Sequence, residues 1–180
     1  MKNFLRIAEG VDVLPILNAI QSKPELWDEN SLRTTHPASP HQETSDIWLW
    51  FNEIPEDETA VVNDIQTMPY NAWRELPQVR PVIFDLMRRV EGVQLGRVII
   101  TKLPPGKKIP PHEDHGAPVD FYTRYQIVLQ SFPGTLFTIE DETVNFKRGE
   151  VWRIDNSKEH SVVNNGTDDR LVIIADIRSC

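Results

Sequence analysis

The chain has 180 residues, 27 acidic against 19 basic side chains, and a formal net charge of -8. That length suits one domain with a sizeable core, and the acidic balance argues against general affinity for nucleic acid or anionic membrane, which rests on clustered Lys and Arg. The sole cysteine, Cys180, excludes an intrachain disulfide; Arg6, Glu9 and Asp12 interrupt the apolar residues of the first twenty positions, so no secretory or membrane-spanning segment is expected and cytoplasmic location is the default.

Taken in order, the first predicted element is a helix over Val11 to Gln21, with apolar residues at helical spacing. Residues 23–46 are rich in Pro, Asp, Asn, Ser and Thr and read as irregular. His36 and His41 within them are expected to be solvent exposed. The run SDIWLWF reads as a strand, followed by a second polar stretch over 52–72. A second helix is predicted over Val79 to Glu91, where Val79, Val82, Ile83, Leu86, Met87 and Val90 form one stripe. Pro81 falls in its first turn, where a missing N–H costs little. Residues 1–93 thus read as an irregular, helix-bearing flank.

Past residue 94 the pattern changes to short β runs: Gln94 to Leu103, Phe121 to Gln130, Thr135 to Ile139, Thr143 to Phe146, Glu150 to Ile154, His160 to Val163 and Arg170 to Ile177. Pro133-Gly134, Arg148-Gly149 and Asn165-Gly166 supply turn chemistry between them. Seven strands so spaced predict a mainly β core over 94–180, a cupin-like jelly roll or double-stranded β-helix with flanking N-terminal helices in a single domain 1–180.

His112-Glu113-Asp114 stands in a Pro- and Gly-rich loop, and His160 follows 46 residues later. Two imidazoles and one carboxylate are the set that holds a non-haem Fe(II) by one face and leaves the other open to a cosubstrate and O₂. In the strand Tyr122 to Gln130, Arg124 and Gln126 share a face and either meet solvent or line a polar cavity. Arg170 shares a face with Val172 and Ile174 and is expected to be buried. A buried guanidinium needs an anion, either a bound carboxylate or a protein Asp or Glu. A competing three-His zinc site of His112, His115 and His160 leaves Asp114 and Arg170 without roles, and residues i, i+3 in an extended loop do not face one way. His115 is therefore expected to be exposed or at a rim, and Trp48, Trp50 and Trp152 are expected in the core.

The order of strand, His112-x-Asp114 loop, Arg124-x-Gln126 strand, Gly149-Glu150-Val151-Trp152-x-x-Asp155, His160 and Arg170 resembles the aspartyl/asparaginyl β-hydroxylase family of Fe(II)- and 2-oxoglutarate-dependent dioxygenases. The resemblance spans roughly residues 95 to 178, and it implies that the flank 1–93 contributes to the substrate pocket. It implies that His112, Asp114 and His160 ligate iron, that Arg170 pairs with the distal carboxylate of 2-oxoglutarate, and that Arg124 assists cosubstrate binding. Gln126 stands where the family has His and retains a donor amide for a cosubstrate contact. The chain carries Asp114 where the animal peptide hydroxylases of the family have Gly, and so resembles bacterial members with a complete triad. Expected outer partners of the ligand histidines are Asp155, Asn156 and Asp176. The implied reaction consumes O₂ and 2-oxoglutarate, releases succinate and CO₂, and hydroxylates a C–H of an amino acid, free or peptide-bound; the alternative is a non-catalytic jelly-roll protein binding a carboxylate or metal. Oligomeric state is left open.

Overall fold

The computed structural model describes residues 1–54 and 64–180. The central part of the polar 52–72 stretch, residues 55–63, lies outside the described residues. In chain order the elements are β1 (Phe4–Ala8), α1 (Leu14–Gln21), a short 3₁₀ turn (Pro24–Leu26), α2 (Leu32–Thr35), β2 (Ser45–Phe51), β3 (Met68–Pro69), α3 (Asn71–Glu75), α4 (Val79–Arg89), β4 (Gly92–Leu103), β5 (Lys108–His112), α5 (Ala117–Phe121), β6 (Thr123–Gln130), β7 (Thr135–Ile139), β8 (Glu142–Val144), β9 (Val151–Ile154), β10 (His160–Asn164) and β11 (Arg170–Ser179).

Antiparallel pairing builds a seven-stranded sheet in the order β1-β9-β6-β11-β4-β2-β3 and a four-stranded sheet in the order β5-β10-β7-β8. This is the mainly β jelly-roll architecture expected, with helices added from the N-terminal flank. The ten-residue strand β11 is rich in β-branched residues that suit a pleated surface buried on both sides, and it sits centrally between β4 and β6. Strand alternation then sorts β11 and β6 into two faces. Ile173, Ala175, Ile177, Tyr125, Ile127 and Leu129 join a core built with Ile16, Ile20, Ile83 and Leu86 from α1 and α4. The opposite face sends Val172, Ile174 and Val128 into a second core between the sheets, where Phe4, Phe137, Phe146 and Trp152 form an aromatic cluster.

Four differences from the sequence expectations have local causes. Phe4–Ala8 forms an edge strand beside β9; its alternation is short, with Leu5 and Arg6 exposed. The first predicted helix begins at Leu14 rather than Val11, after an Asp12 side chain accepts from the Leu14 N–H. Lys108–His112, expected as loop because of Pro110 and Pro111, is a strand at the edge of the smaller sheet, and its pairing with β10 is irregular where the prolines fall. Residues 117–121 form a short helix, so the following strand starts at Thr123. Of the expected turns, Gly134 and Gly149 adopt positive φ, 96° and 79°. A side chain at Gly134 would also meet the Asn165 backbone at 2.8 Å.

Candidate metal and cosubstrate site

The open end of the double sheet carries the polar residues. On the inward face of β11, Arg170 and Asp176 bracket Val172 and Ile174, and β6 aligns Arg124 opposite Asp176 and Gln126 opposite Ile174. From the smaller sheet, β10 sets His160 opposite His112 at the end of β5, and Asp114 follows in the loop after it. His112, Asp114 and His160 each offer a ligand atom within 4.8 Å of the others. The two imidazole rings lie 4.2 Å apart between centroids, and His112 Nε2 is 3.6 Å from Asp114 Oδ1.

The outer contacts orient these donors. His112 Nδ1 faces the Pro110 carbonyl at 2.8 Å and His160 Nδ1 faces the Lys158 carbonyl at 2.8 Å. A carbonyl only accepts, so each Nδ1 carries the proton and each Nε2 presents a lone pair. Backbone carbonyls thus fix the tautomers, in place of the Asp155, Asn156 and Asp176 side chains expected from sequence. Asn156 instead donates to Asp114 Oδ2 at 2.9 Å, Asp176 accepts two bonds from Arg124 at 2.8 and 2.9 Å, and Asp155 binds Ser157. Arg124 also donates to Asp114 Oδ2. With that oxygen engaged, Oδ1 is left on the His112 side. Burial alone would raise the Asp114 pKa, but Arg124, His160 and Asn156 outweigh it and hold the carboxyl well below its usual range. Burial lowers the His160 pKa, which favours the neutral imidazole that a metal requires. The His112 Nε2 atom is buried and has no hydrogen-bond partner among the described residues. An orphaned lone pair converging with a second imidazole and an ionised carboxylate fits a divalent cation of the 2-His-1-carboxylate type.

Arg170 is the second anomaly. Only 2% exposed, it donates to Gln126 Oε1 at 2.7 Å and lies over the Phe137 ring at 5.8 Å. Among the described residues it has no carboxylate partner, and desolvation pulls its pKa down from the usual guanidinium value to about 10. Arg170, Gln126 and the three metal-ligand candidates line one small slot of about 30 Å³. This slot adjoins an open cleft of about 680 Å³ walled by Leu32, Trp48, Phe51, Ile99 and Val119, with Arg97 among its lining. Arg97 donates to Asn52 Oδ1 at 2.6 Å and lies over the Phe51 ring.

The remaining candidates divide. His115 is exposed at the rim of the cleft and stands outside the donor cluster among the described residues; the three-His arrangement is not formed. His36 is exposed as expected. His41 is not: it is partly buried, its ring edge-on to His112 at 5.3 Å and within 3.1 Å of Arg33 Nη2, and burial with the Arg33 charge holds its pKa well below the usual value. Arg33, absent from the sequence reading, pairs with the fully buried Asp46 at 2.6 Å and lines both cavities. No periodicity in the polar 23–46 segment marks it. Trp48 and Trp152 are buried, the first beside the cleft, and Trp50 is partly buried.

Comparison with known proteins agrees with this geometry. The sequence profile described as Aspartyl/Asparaginyl beta-hydroxylase matches residues 22–179. No curated protein matches the chain. Among solved structures, a prolyl-4-hydroxylase from Pseudomonas putida is 15% identical with a TM-score of 0.54, over 99% of this chain and 93% of its own. An oxidoreductase of the 2OG-Fe(II) oxygenase family from Burkholderia pseudomallei is 14% identical with a TM-score of 0.55, over 75% of this chain and 66% of its own. These two likenesses concern the fold. By the profile match over most of its length, the chain belongs to the aspartyl/asparaginyl β-hydroxylase family.

Proposed function

We propose that this chain is an Fe(II)- and 2-oxoglutarate-dependent dioxygenase that hydroxylates a C–H of an amino acid, free or peptide-bound. The observation that carries the proposal is Arg170, a buried guanidinium without a carboxylate partner among the described residues, in the same slot as the orphaned His112 Nε2. A dicarboxylate with a metal-chelating 2-oxo end answers both at once. His112, His160 and Asp114 would hold the metal by one face. The metal, once bound, supplies dioxygen activation coupled to oxidative decarboxylation, so that O₂, 2-oxoglutarate and a substrate C–H become C–OH, succinate and CO₂.

The protein's part is placement. Arg170 takes the distal carboxylate, and Gln126, whose Oε1 already accepts from Arg170, turns its NH₂ away from that bond as a further donor. Arg124, fixed by Asp176, positions Asp114 and stands close enough to the slot to assist cosubstrate binding. The outer cleft, apolar on the Trp48 and Phe51 side, aligns the substrate C–H and excludes water from the oxidant. A small-molecule amino-acid or peptide substrate and a cytoplasmic setting belong to the same proposal; no helix among the described residues is long and apolar enough to cross a membrane.

The test is conversion of 2-oxoglutarate to succinate with Fe(II), ascorbate and O₂, for the wild type and His112→Ala, across a panel of free and peptide-bound amino acids. Substrate-stimulated succinate formation that His112→Ala abolishes is the expected result. Tight 2-oxoglutarate binding with no succinate from any panel member would instead favour a carboxylate-binding jelly roll.

A further inference from the structure

We propose that Arg33 and His41, both from the N-terminal flank, form the movable wall of the cosubstrate slot and set the length of 2-oxo dicarboxylate that it admits. The inference rests on the oxygenase reading above. Its starting point is where the slot opens. The slot that joins the triad to Arg170 is small, about 30 Å³, and it meets the larger cleft along a wall formed in part by Arg33 and His41, which line both cavities. A diacid that fills the slot presses on that wall.

Most of the wall is built into the sheets. Thr101, Gln126, His160 and Arg170 sit on paired strands, and Asp114 is pinned by Arg124 and Asn156. Displacing any of these breaks ladder hydrogen bonds or an ionic network. Arg33 and His41 differ. They are carried by the four-residue α2 and the loop that follows it, and among the described residues the backbone hydrogen bonds of segment 31–44 all close within the segment: Thr34 and Thr35 to Ser31, His36 to Leu32, Ser39 to His36 and Thr44 to His41. The polar ties of this strap to the β core are few. Arg33 binds Asp46 Oδ2, while Asp46 Oδ1 accepts from Thr101 at 2.8 Å; at the other end Glu43 accepts from Lys107 and Lys108. The strap can therefore shift as a unit without unpairing a strand. Because His41 also abuts the His112 ring, it stands beside the metal-proximal end of the slot, and a longer diacid anchored at Arg170 would meet it first.

The experiment measures binding rather than turnover. Dissociation constants of the Mn(II)-loaded protein for oxaloacetate, 2-oxoglutarate and 2-oxoadipate, with four, five and six carbons, are determined by titration calorimetry for the wild type, His41→Ala, His41→Gln and Arg33→Lys. The wild type is expected to favour 2-oxoglutarate. His41→Ala should raise the affinity for 2-oxoadipate relative to 2-oxoglutarate by about tenfold, the low end of what one methylene is worth in a closed pocket, and the similarly bulky His41→Gln should restore the wild-type ratio. Arg33→Lys keeps a charge for Asp46 and should move the ratio in the same direction as His41→Ala, so the inference is testable if His41→Ala does not fold. An unchanged ratio in folded His41→Ala, or in Arg33→Lys if the alanine variant is lost, overturns the inference while leaving the oxygenase reading intact. Failure of the wild type to bind any of the three diacids overturns both.

Discussion

Replacing Arg170 by Met should make the cosubstrate-free protein more stable while abolishing its response to 2-oxoglutarate. The guanidinium is buried against Gln126 and Phe137 with no carboxylate to neutralise it among the described residues. Its fall in pKa from the usual guanidinium value to about 10, at about 1.4 kcal/mol for each tenfold change in proton affinity, corresponds to about 3 kcal/mol of desolvation. A base with a lowered folded pKa destabilises the fold while charged, so this cost applies in full below pH about 10. Met of similar length removes the charge but leaves Gln126 Oε1 without its donor, a loss of about 1 kcal/mol. The net gain is about 2 kcal/mol, or about 4–8 °C in Tm for a chain of this size. Calorimetric melts of the Mn(II) form with and without 2-oxoglutarate check both halves. Wild type should rise by about 2.7 kcal/mol at a hundredfold excess over Kd, whereas the variant should not move. A variant that melts below the ligand-free wild type, or that 2-oxoglutarate still stabilises equally, refutes the reasoning.

Three further outcomes are expected. Asp114→Ala should weaken Mn(II) binding by more than about 100-fold, beyond the 10–100-fold typical of an outer partner, and His115→Ala should leave it nearly unchanged; equal losses by titration would favour a site that includes His115. Asp176→Asn removes the charge that holds Arg124 behind Asp114 and should cost about 10-fold in Mn(II) affinity, with an unchanged affinity separating Asp176 from the site. Glu150 accepts from the Lys147 N–H, Trp152 Nε1 and Arg6; burial opposes ionisation, but these donors prevail and lower its pKa below 4.5. Its contribution is therefore present above pH about 4.5 and lost as pH falls through the lowered folded value. Glu150→Gln should cost about 1–2 kcal/mol at neutral pH and flatten the acid limb of the stability curve, which denaturant titrations from about pH 7 to 3 would reveal.

Legibility from sequence followed how local each signal is. The inward faces of β6 and β11 were readable because alternation is a property of adjacent residues, and Arg124, Gln126 and Arg170 fell on the cavity side. His112, Asp114 and His160 were readable because their residue types carry the chemistry wherever the chain goes. Arg33 and His41 were not, since a polar segment without periodicity gives no direction to its side chains, and only tertiary folding lays it across the slot. The same applies to Asp176, which looked like one of several partners for a histidine until the pairing of β6 with β11 set it beside Arg124. Strand β5 was hidden by its prolines, which an edge position tolerates.

The central position of β11 links synthesis of the fold to its chemistry. Along this one strand, odd-numbered side chains anchor the helices and even-numbered ones include both the inward guanidinium and Asp176. Inserting or deleting a single residue between Arg170 and Asp176 would turn aliphatic groups toward the slot and drive charge into the helical layer. A frame error in this strand would thus penalise the stability of the fold and the chemistry of the slot together.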